Sequence, residues 1–161
     1  MNYRSGTLVL TSAAVLIAVS VGLAQQPPGP PTLEQQAKKA VETRQGLFEV
    51  EGFTFGPVGA MLKGAPLDTA LVQKEAARVR ITASIIPEVF QLDTSKFQVT
   101  TKARATIWSN KSDFDQKAHA LETAAASLET AAQKGDRAAI LDAAGKVGNA
   151  CKSCHEDFRD K

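Results

Sequence analysis

The sequence predicts an all-α protein, an antiparallel four-helix bundle. Apolar residues recur at three- and four-residue spacing over four long segments, which is the period of an amphipathic helix. Capping residues, glycines and prolines separate these segments, which show little of the pattern that is typical of β-strands. The first and second helices, and the third and fourth, have short connections between them, whereas a longer one joins the second to the third. Such loop lengths are typical of antiparallel bundles.

Residues 1–24 have the features of a secretory signal peptide. A short cationic start with Arg4 precedes an apolar stretch from Leu8 to Leu23, and small residues at Gly22 and Ala24 offer a cleavage site. The alternative is an uncleaved membrane anchor, because the stretch is close to the minimum of roughly 17 residues for a span. We expect an exported protein.

Residues 25–31 form a proline-rich leader, which has few backbone donors and no apolar side chain to bury. The remaining segment, 32–161, is long enough for one domain and short for two. Removing Arg4 with the signal peptide lowers the formal net charge of +2 by one. A balance this close to neutral gives no indication of nucleic-acid binding.

The first helix is predicted to begin at Thr32, since Thr32 and Gln35 form a capping-box pattern. A cluster of glycines and prolines over residues 46–66 is expected to end this helix somewhere after Phe48 and to form a turn-rich connection. One face of the helix carries a predicted inner stripe, formed by Leu33, Ala37, Val41, Arg44 and Phe48.

Asp68 is a suitable N-cap for the second helix, which Pro87 is expected to end. The inner face of this helix has the spacing of a bundle seam and consists of Val72, Ala76, Val79, Ala83 and Ile86. Residues 88–108 show no sustained period, and we expect a loop with one short helical turn.

The third helix is predicted to begin between Ser109 and Ser112 and to end at Gly135. Its inner residues are Phe114, Ala118, Leu121, Ala125, Leu128 and Ala132. Asp136 caps the fourth helix. The inner residues of that helix are Ile140, Ala144, Val147, Cys151, Cys154 and Phe158. Both cysteines of the chain are therefore expected to face the core.

These cysteines belong to Cys151-Lys-Ser-Cys154-His155, a C-x-x-C-H motif of the kind that attaches a c-type haem. The thiols add across the porphyrin vinyl groups as thioethers, and His155 becomes an axial ligand of the iron. A thioredoxin-like dithiol, half of a zinc site and two structural cysteines share the pattern. A zinc site would find only His119 as a further donor of the usual kind, and a dithiol is expected after a strand. The motif predicts one covalent haem c per chain.

The chain resembles the cytochrome c prime family, which are periplasmic four-helix-bundle haem proteins with this motif near the end of the last helix. The resemblance covers nearly all of residues 32–161. The segments that carry it are Thr43-Arg-Gln45, Phe55-Gly56, Lys63-Gly64, Ile107-Trp-Ser109 and Gly148-Asn-Ala-Cys-Lys-Ser-Cys-His-Glu-Asp-Phe-Arg159.

The resemblance implies that His155 is the only protein ligand of the iron and that Phe48 covers the opposite, distal face. It also implies that Arg44 and Gln45 meet the haem propionates and that Arg159 lies near the proximal side. Arg44 lies on an apolar stripe, so its charge requires an anionic partner. A haem propionate would provide one, and the alternative is a salt bridge to an acidic residue of the chain. For Arg159 the alternative is a favourable interaction with the helix dipole.

A minority branch of the family places a methionine on the distal side. Met61, the only methionine after the initiator, is expected instead to be a packing residue. His119 lies off the inner stripe and is expected in solvent. Trp108 and Phe114 either pack on the porphyrin or belong to the core.

With Phe48 over the distal face, the pocket is expected to be dry, small and without a hydrogen-bond donor. Such a pocket favours nitric oxide and carbon monoxide over dioxygen, which gains more from a donor. We expect a five-coordinate, high-spin gas-binding protein; the alternative is a low-spin electron-transfer cytochrome with a redox partner protein. Phe48 offers no proton relay for an enzyme. The resemblance further implies a homodimer formed through the first two helices.

Overall fold

The first helix, α1, runs from Leu33 to Leu62 in the computed structural model, which describes residues 29–161. Its capping box is present, because the Thr32 Oγ1 accepts the N–H of Gln35 at 3.2 Å and the Gln35 Oε1 accepts the N–H of Thr32 at 2.8 Å. The predicted signal peptide and most of the leader lie outside the described residues.

The prediction of a turn-rich connection over residues 46–66 is wrong for most of that range, since α1 continues through several glycines and Pro57 to Leu62. Beyond Phe48 the helix still buries Thr54, Val58 and Met61, so tertiary packing stabilises a segment whose local propensity is poor. The turn comes later, at Gly64, whose φ of 107° is accessible mainly to glycine.

Helix α2 spans Thr69–Val89 and is capped by Asp68, whose Oδ1 accepts the N–H of Leu71 at 2.9 Å. The expected stop at Pro87 is wrong by two residues. Pro87 lies in the last turn, where its missing N–H removes only one hydrogen bond. Ile86 and Phe90 are buried on either side of it and hold that turn against the core.

The long connection contains the expected helical turn, α3, at Thr106–Ser109, and α4 follows at Lys111–Lys134. Gly135 ends α4 in the left-handed conformation with φ 74°, as predicted. Helix α5 spans Arg137–Phe158, and the Asp136 carboxylate accepts the N–H groups of two residues in its first turn.

The four long helices form the predicted bundle, in which α4 packs against α2 and α5 and α1 packs against α2. All the predicted inner residues of α2 and α4 are buried. Leu33 is an exception on α1, because it is 65% exposed at the helix end and does not belong to the inner stripe. Within residues 29–161, no helix combines the length and the apolar character needed to cross a membrane.

The connection between α2 and α4 is fastened to the end of α5. Ala103 and Arg159 form an antiparallel bridge, and the Arg104 guanidinium donates to the carbonyl oxygens of Glu156 and Asp157 at 2.9 and 3.1 Å. A cation at these carbonyls complements the negative end of the helix dipole. The end of α5 that carries the C-x-x-C-H motif is thereby held in place.

Candidate functional site

A cavity of about 960 Å³ lies between α1, α4 and α5, with the C-x-x-C-H motif on its wall. Three glycines of α1 line it, at positions 52, 56 and 59, and a Cβ built on any of them meets no atom within 4 Å. Much of the remaining lining is apolar and includes Val41, Phe55, Ile86, Phe90, Phe114 and Leu121. The glycines that were expected to end the helix therefore leave space along the α1 wall of the cavity.

Cys151, Cys154 and His155 all line this cavity from α5. Residues three and four apart share one helix face, so the helix presents both thiols and the imidazole to the same space. Burial, and then the charge of the nearby Glu51 carboxylate, raise the pKa of Cys151 to about 11. Burial also raises the pKa of Cys154, against the lowering effect of Lys117. The thiols are therefore protonated near neutral pH.

Phe48 and His155 face each other across the cavity. Their ring centroids are 6.4 Å apart and the ring planes meet at 75°. Phe48 comes from α1 and His155 from α5, so the two side chains line the cavity from different helices. Phe48 is 36% exposed because its ring borders the cavity. Burial, and then the charge of Arg159, lower the pKa of His155, which favours the neutral imidazole that can bind a metal.

Arg44 is buried and lines the cavity, and among the described residues its hydrogen bonds go to neutral oxygens and not to an acidic side chain. The guanidinium donates to the carbonyl oxygens of Val89 and Leu92 at 2.7 and 2.6 Å and to the Thr94 hydroxyl at 2.8 Å. It also stacks over the Phe90 ring, 4.5 Å from the centroid. Neutral oxygens at the end of α2 satisfy this cation, because several backbone carbonyls there have no helical partner.

Gln45 and Arg159 also line the cavity, at its exposed edge. The Gln45 Nε2 donates to the carbonyl oxygen of Thr100 at 3.3 Å. Arg159 is the C-cap of α5, with its backbone N–H donating to the carbonyl oxygen of His155 at 3.2 Å. The backbone of Arg159 is thus directly fastened to the residue whose pKa its side chain lowers.

Glu51 is a buried acid on the cavity wall that was not predicted from the sequence. This residue is 7% exposed and lies one helical turn after Phe48. The sequence predicts a pocket without a hydrogen-bond donor, and Glu51 adds a carboxyl group to its α1 wall that this prediction does not include. The signal in the sequence is the helical period, which places Glu51 on the inner face of α1 when the helix is extended through its glycines.

Met61 and His119 occupy the positions that the sequence predicted. Met61 is 8% exposed and packs in the hydrophobic core, away from the cavity lining. The His119 side chain is 75% exposed and its Nδ1 lies 3.1 Å from the Glu122 Oε2. Phe114 lines the cavity, whereas Trp108 lies behind it and donates its indole N–H to the carbonyl oxygen of Phe90 at 3.0 Å.

The donor set fits a thioether-linked macrocycle better than a bare metal ion. A large, mostly apolar cavity brings two thiols and one imidazole together, and its α1 wall is cleared by glycines. Among residues 29–161, no group of three or more His, Cys, Asp and Glu side chains is arranged to hold a metal ion. A tetrahedral zinc site needs about four such ligands.

A family model and a known protein both relate this chain to the cytochromes c′. The family model described as Cytochrome C′ matches residues 39–159. A cytochrome c′ from Cereibacter sphaeroides is 40% identical over 128 residues, which cover 78% of this chain and 85% of that protein.

Solved structures that are similar in fold include the following two. A cytochrome c prime from Shewanella frigidimarina superposes with a TM-score of 0.71 at 36% identity, covering 78% of this chain and 97% of the other. A nitric oxide complex of a variant cytochrome c prime from Alcaligenes xylosoxidans gives 0.69 at 30% identity, covering 78% and 96%. The chain therefore belongs to the cytochrome c′ family, four-helix-bundle proteins whose haem c is covalently attached through the cysteines of a C-x-x-C-H motif.

Proposed function

We propose that the chain is an exported, periplasmic haem protein with a five-coordinate, high-spin iron that binds nitric oxide and carbon monoxide when reduced. The observation that carries this proposal is the placement of Phe48 opposite His155. Of the residues that line the cavity, His155 alone carries an imidazole and none is a methionine. A second strong axial ligand is therefore not available from the lining.

In this proposal the bound haem supplies an iron with one open coordination position, and the chain's own residues hold and shield it. Cys151 and Cys154 tether the porphyrin, and His155 binds the iron as the neutral imidazole that its lowered pKa favours. Because the tether is covalent, retention of the haem does not depend on a second axial bond. Gln45 and Arg159 lie at the cavity edge, where they can contact polar groups of the haem.

The proposed gas preference follows from the side chain opposite His155. Phe48 is apolar and donates no hydrogen bond, whereas bound dioxygen develops negative charge and gains from a distal donor. Nitric oxide and carbon monoxide depend less on such a donor. The similar Alcaligenes xylosoxidans protein was solved as a nitric oxide complex, which supports the same ligand class for this chain.

We assign binding rather than catalysis, since Phe48 carries no group that could move a proton at the ligand position. Export is supported by the predicted signal peptide at residues 1–24. The C-x-x-C-H motif supports it too, because its cysteines must meet haem outside the cytoplasm. We also propose a homodimer through α1 and α2. Both helices expose apolar side chains, with Val50 52%, Phe53 80% and Ile81 55% exposed.

The test is to record absorption and resonance Raman spectra of the exported, haem-loaded protein in both oxidation states, and then to titrate the reduced form with nitric oxide. Five-coordinate, high-spin iron that takes up the gas is the expected result. Six-coordinate, low-spin iron in the absence of added ligand would overturn the proposal and favour the electron-transfer alternative.

A further inference from the structure

Glu51 is a buried carboxyl group on the cavity wall that the proposed gas-binding role does not use. It comes from α1, the wall that also carries Phe48, and it is close enough to Cys151 for its charge to raise the pKa of that thiol. Its Oε1 is buried and has no hydrogen-bond partner in the described part of the chain. An ionised carboxylate buried in this way would have one oxygen entirely uncompensated, which is costly.

Among residues 29–161, the other oxygen has one partner, the hydroxyl group of Thr82 on α2. The same hydroxyl lies 3.1 Å from the Val79 carbonyl oxygen and 3.0 Å from that of Arg78. A hydroxyl has only one proton to donate. When Thr82 donates it to a carbonyl, Glu51 must be the donor of the bond between them and hence the neutral acid. When Thr82 donates to Glu51, the carboxyl can be ionised. The pair therefore accommodates both protonation states without a change of fold.

Cations on the neighbouring helices are engaged elsewhere. On α2, Arg78 donates to Glu75 at 3.0 Å, and on α4, Lys117 pairs with Asp157 at 2.9 Å and donates to Ser153 at 2.8 Å.

On α1 itself, Arg44 donates to oxygens at the end of α2, and Glu49 is exposed at the cavity edge. On α5 and at its C-cap, the titratable and charged groups that line the cavity are the two cysteines, which carry no charge as thioethers, His155 and Arg159. Lys63 lines it from the C-cap of α1, and Lys102 lines it from the connection between α2 and α4. Burial is accordingly the largest influence on the pKa of Glu51 and raises it, while Thr82 lowers it.

We propose that Glu51 is a redox-linked proton site, which takes up one proton from solvent for each electron that an external one-electron donor delivers to the haem in this cavity. On oxidation the carboxyl group releases that proton. The inference rests on the haem pocket proposed above. It adds to gas binding a coupling between the charge of the iron and the protonation of a residue on this chain.

The physical basis is the electrostatic interaction between two charges in a poorly solvated space. Oxidation adds one positive charge to the cavity and so favours the ionised Glu51, whereas reduction removes that charge and favours the acid. Glu51 thus has a higher pKa with reduced haem than with oxidised haem. By linkage, the reduction potential falls with rising pH between these two pKa values and is constant outside them.

The experiment measures the reduction potential of the holoprotein by spectroelectrochemical titration from about pH 5 to pH 9. For the native chain the slope should approach about −59 mV per pH unit within the window, which is tenfold in a one-electron equilibrium constant. Glu51→Gln should lose this component of the slope. Glu42→Gln, which alters an exposed carboxyl of the same helix, is the matched control and should keep it. An unchanged slope in Glu51→Gln would overturn the proposal.

A second measurement does not depend on the Gln variant incorporating haem. The reduced-minus-oxidised infrared difference spectrum of the native holoprotein should show a protonated carboxylic acid band that grows on reduction. Thr82→Val should shift this band, because Thr82 is the hydrogen-bond partner of Glu51. A spectrum with no such band, or a band that Thr82→Val leaves in place, contradicts the proposal. Failure of the reduced protein to bind nitric oxide would instead refute the proposed function and leave the potential measurement interpretable.

Discussion

The rings of Phe48 and His155 lie 6.4 Å apart, centroid to centroid, with their planes at 75°. Neither residue is near the other in sequence, and each belongs to a different helix of the bundle. The relationship places an apolar aromatic ring on the wall opposite the imidazole of the C-x-x-C-H motif. This relationship supports the proposal that the iron has one protein ligand and that Phe48 hinders the approach of a gas.

Replacing Phe48 by Ala should accelerate carbon monoxide binding to the reduced protein. Loss of the ring removes the obstruction opposite His155, and a barrier lower by about 1.4 kcal/mol would increase the rate about tenfold. Flash photolysis or stopped-flow mixing measures this rate. Leu33→Ala is the control, since Leu33 is 65% exposed on the same helix and does not line the cavity. Equal rates in the native chain and Phe48→Ala would remove Phe48 from the distal position.

Replacing Met61 by Leu should leave the spin state and the absorption spectrum unchanged. Met61 packs in the core rather than at the cavity, so a side chain of similar volume should cost less than about 1.5 kcal/mol of stability. Resonance Raman and thermal unfolding measure the two properties. His119→Ala should also be silent, because its ring is exposed. A change from low to high spin in either variant would identify a sixth ligand.

Replacing Arg44 by Met should destabilise the fold by about 3–5 kcal/mol. The variant retains an apolar stem but leaves the carbonyl groups of Val89 and Leu92 without their buried donors. Urea unfolding of the holoprotein measures the loss. Arg80→Ala is the control, because this partly exposed side chain pairs only with Glu129, and it should cost less than about 1 kcal/mol. Similar losses in both variants would contradict the anchoring role of Arg44.

Glu51 should make the stability of the protein fall as pH rises above the ordinary glutamate pKa of 4.5. Burial raises the pKa in the folded state, so the unfolded chain loses its proton first and is favoured until the folded pKa is passed. For every tenfold difference between the folded and unfolded acid constants, the free energy of unfolding is lower by about 1.4 kcal/mol at higher pH. In urea unfolding, the free energy of unfolding of Glu51→Gln should increase relative to that of the native chain between pH 5 and pH 8. A difference independent of pH would show that the carboxyl is ionised throughout.

Much of the bundle could be predicted because its signals are local. Thr32, Asp68 and Asp136 cap their helices as expected, and Gly135 ends α4 with positive φ. The end of α1 could not be predicted in this way. Gly52 and Pro57 oppose a helix locally, and only burial of side chains such as Val58 in the hydrophobic core outweighs that preference.

The sequence by itself determined the chemistry of the site, because Cys151, Cys154 and His155 are adjacent in the chain and their spacing is that of haem attachment. Only the tertiary structure decided what surrounds them. It paired Arg44 with neutral oxygens rather than an acid, placed Phe48 opposite His155, and buried Glu51 beside the cavity. These contacts join residues that are far apart in the chain, so they depend on how the helices pack.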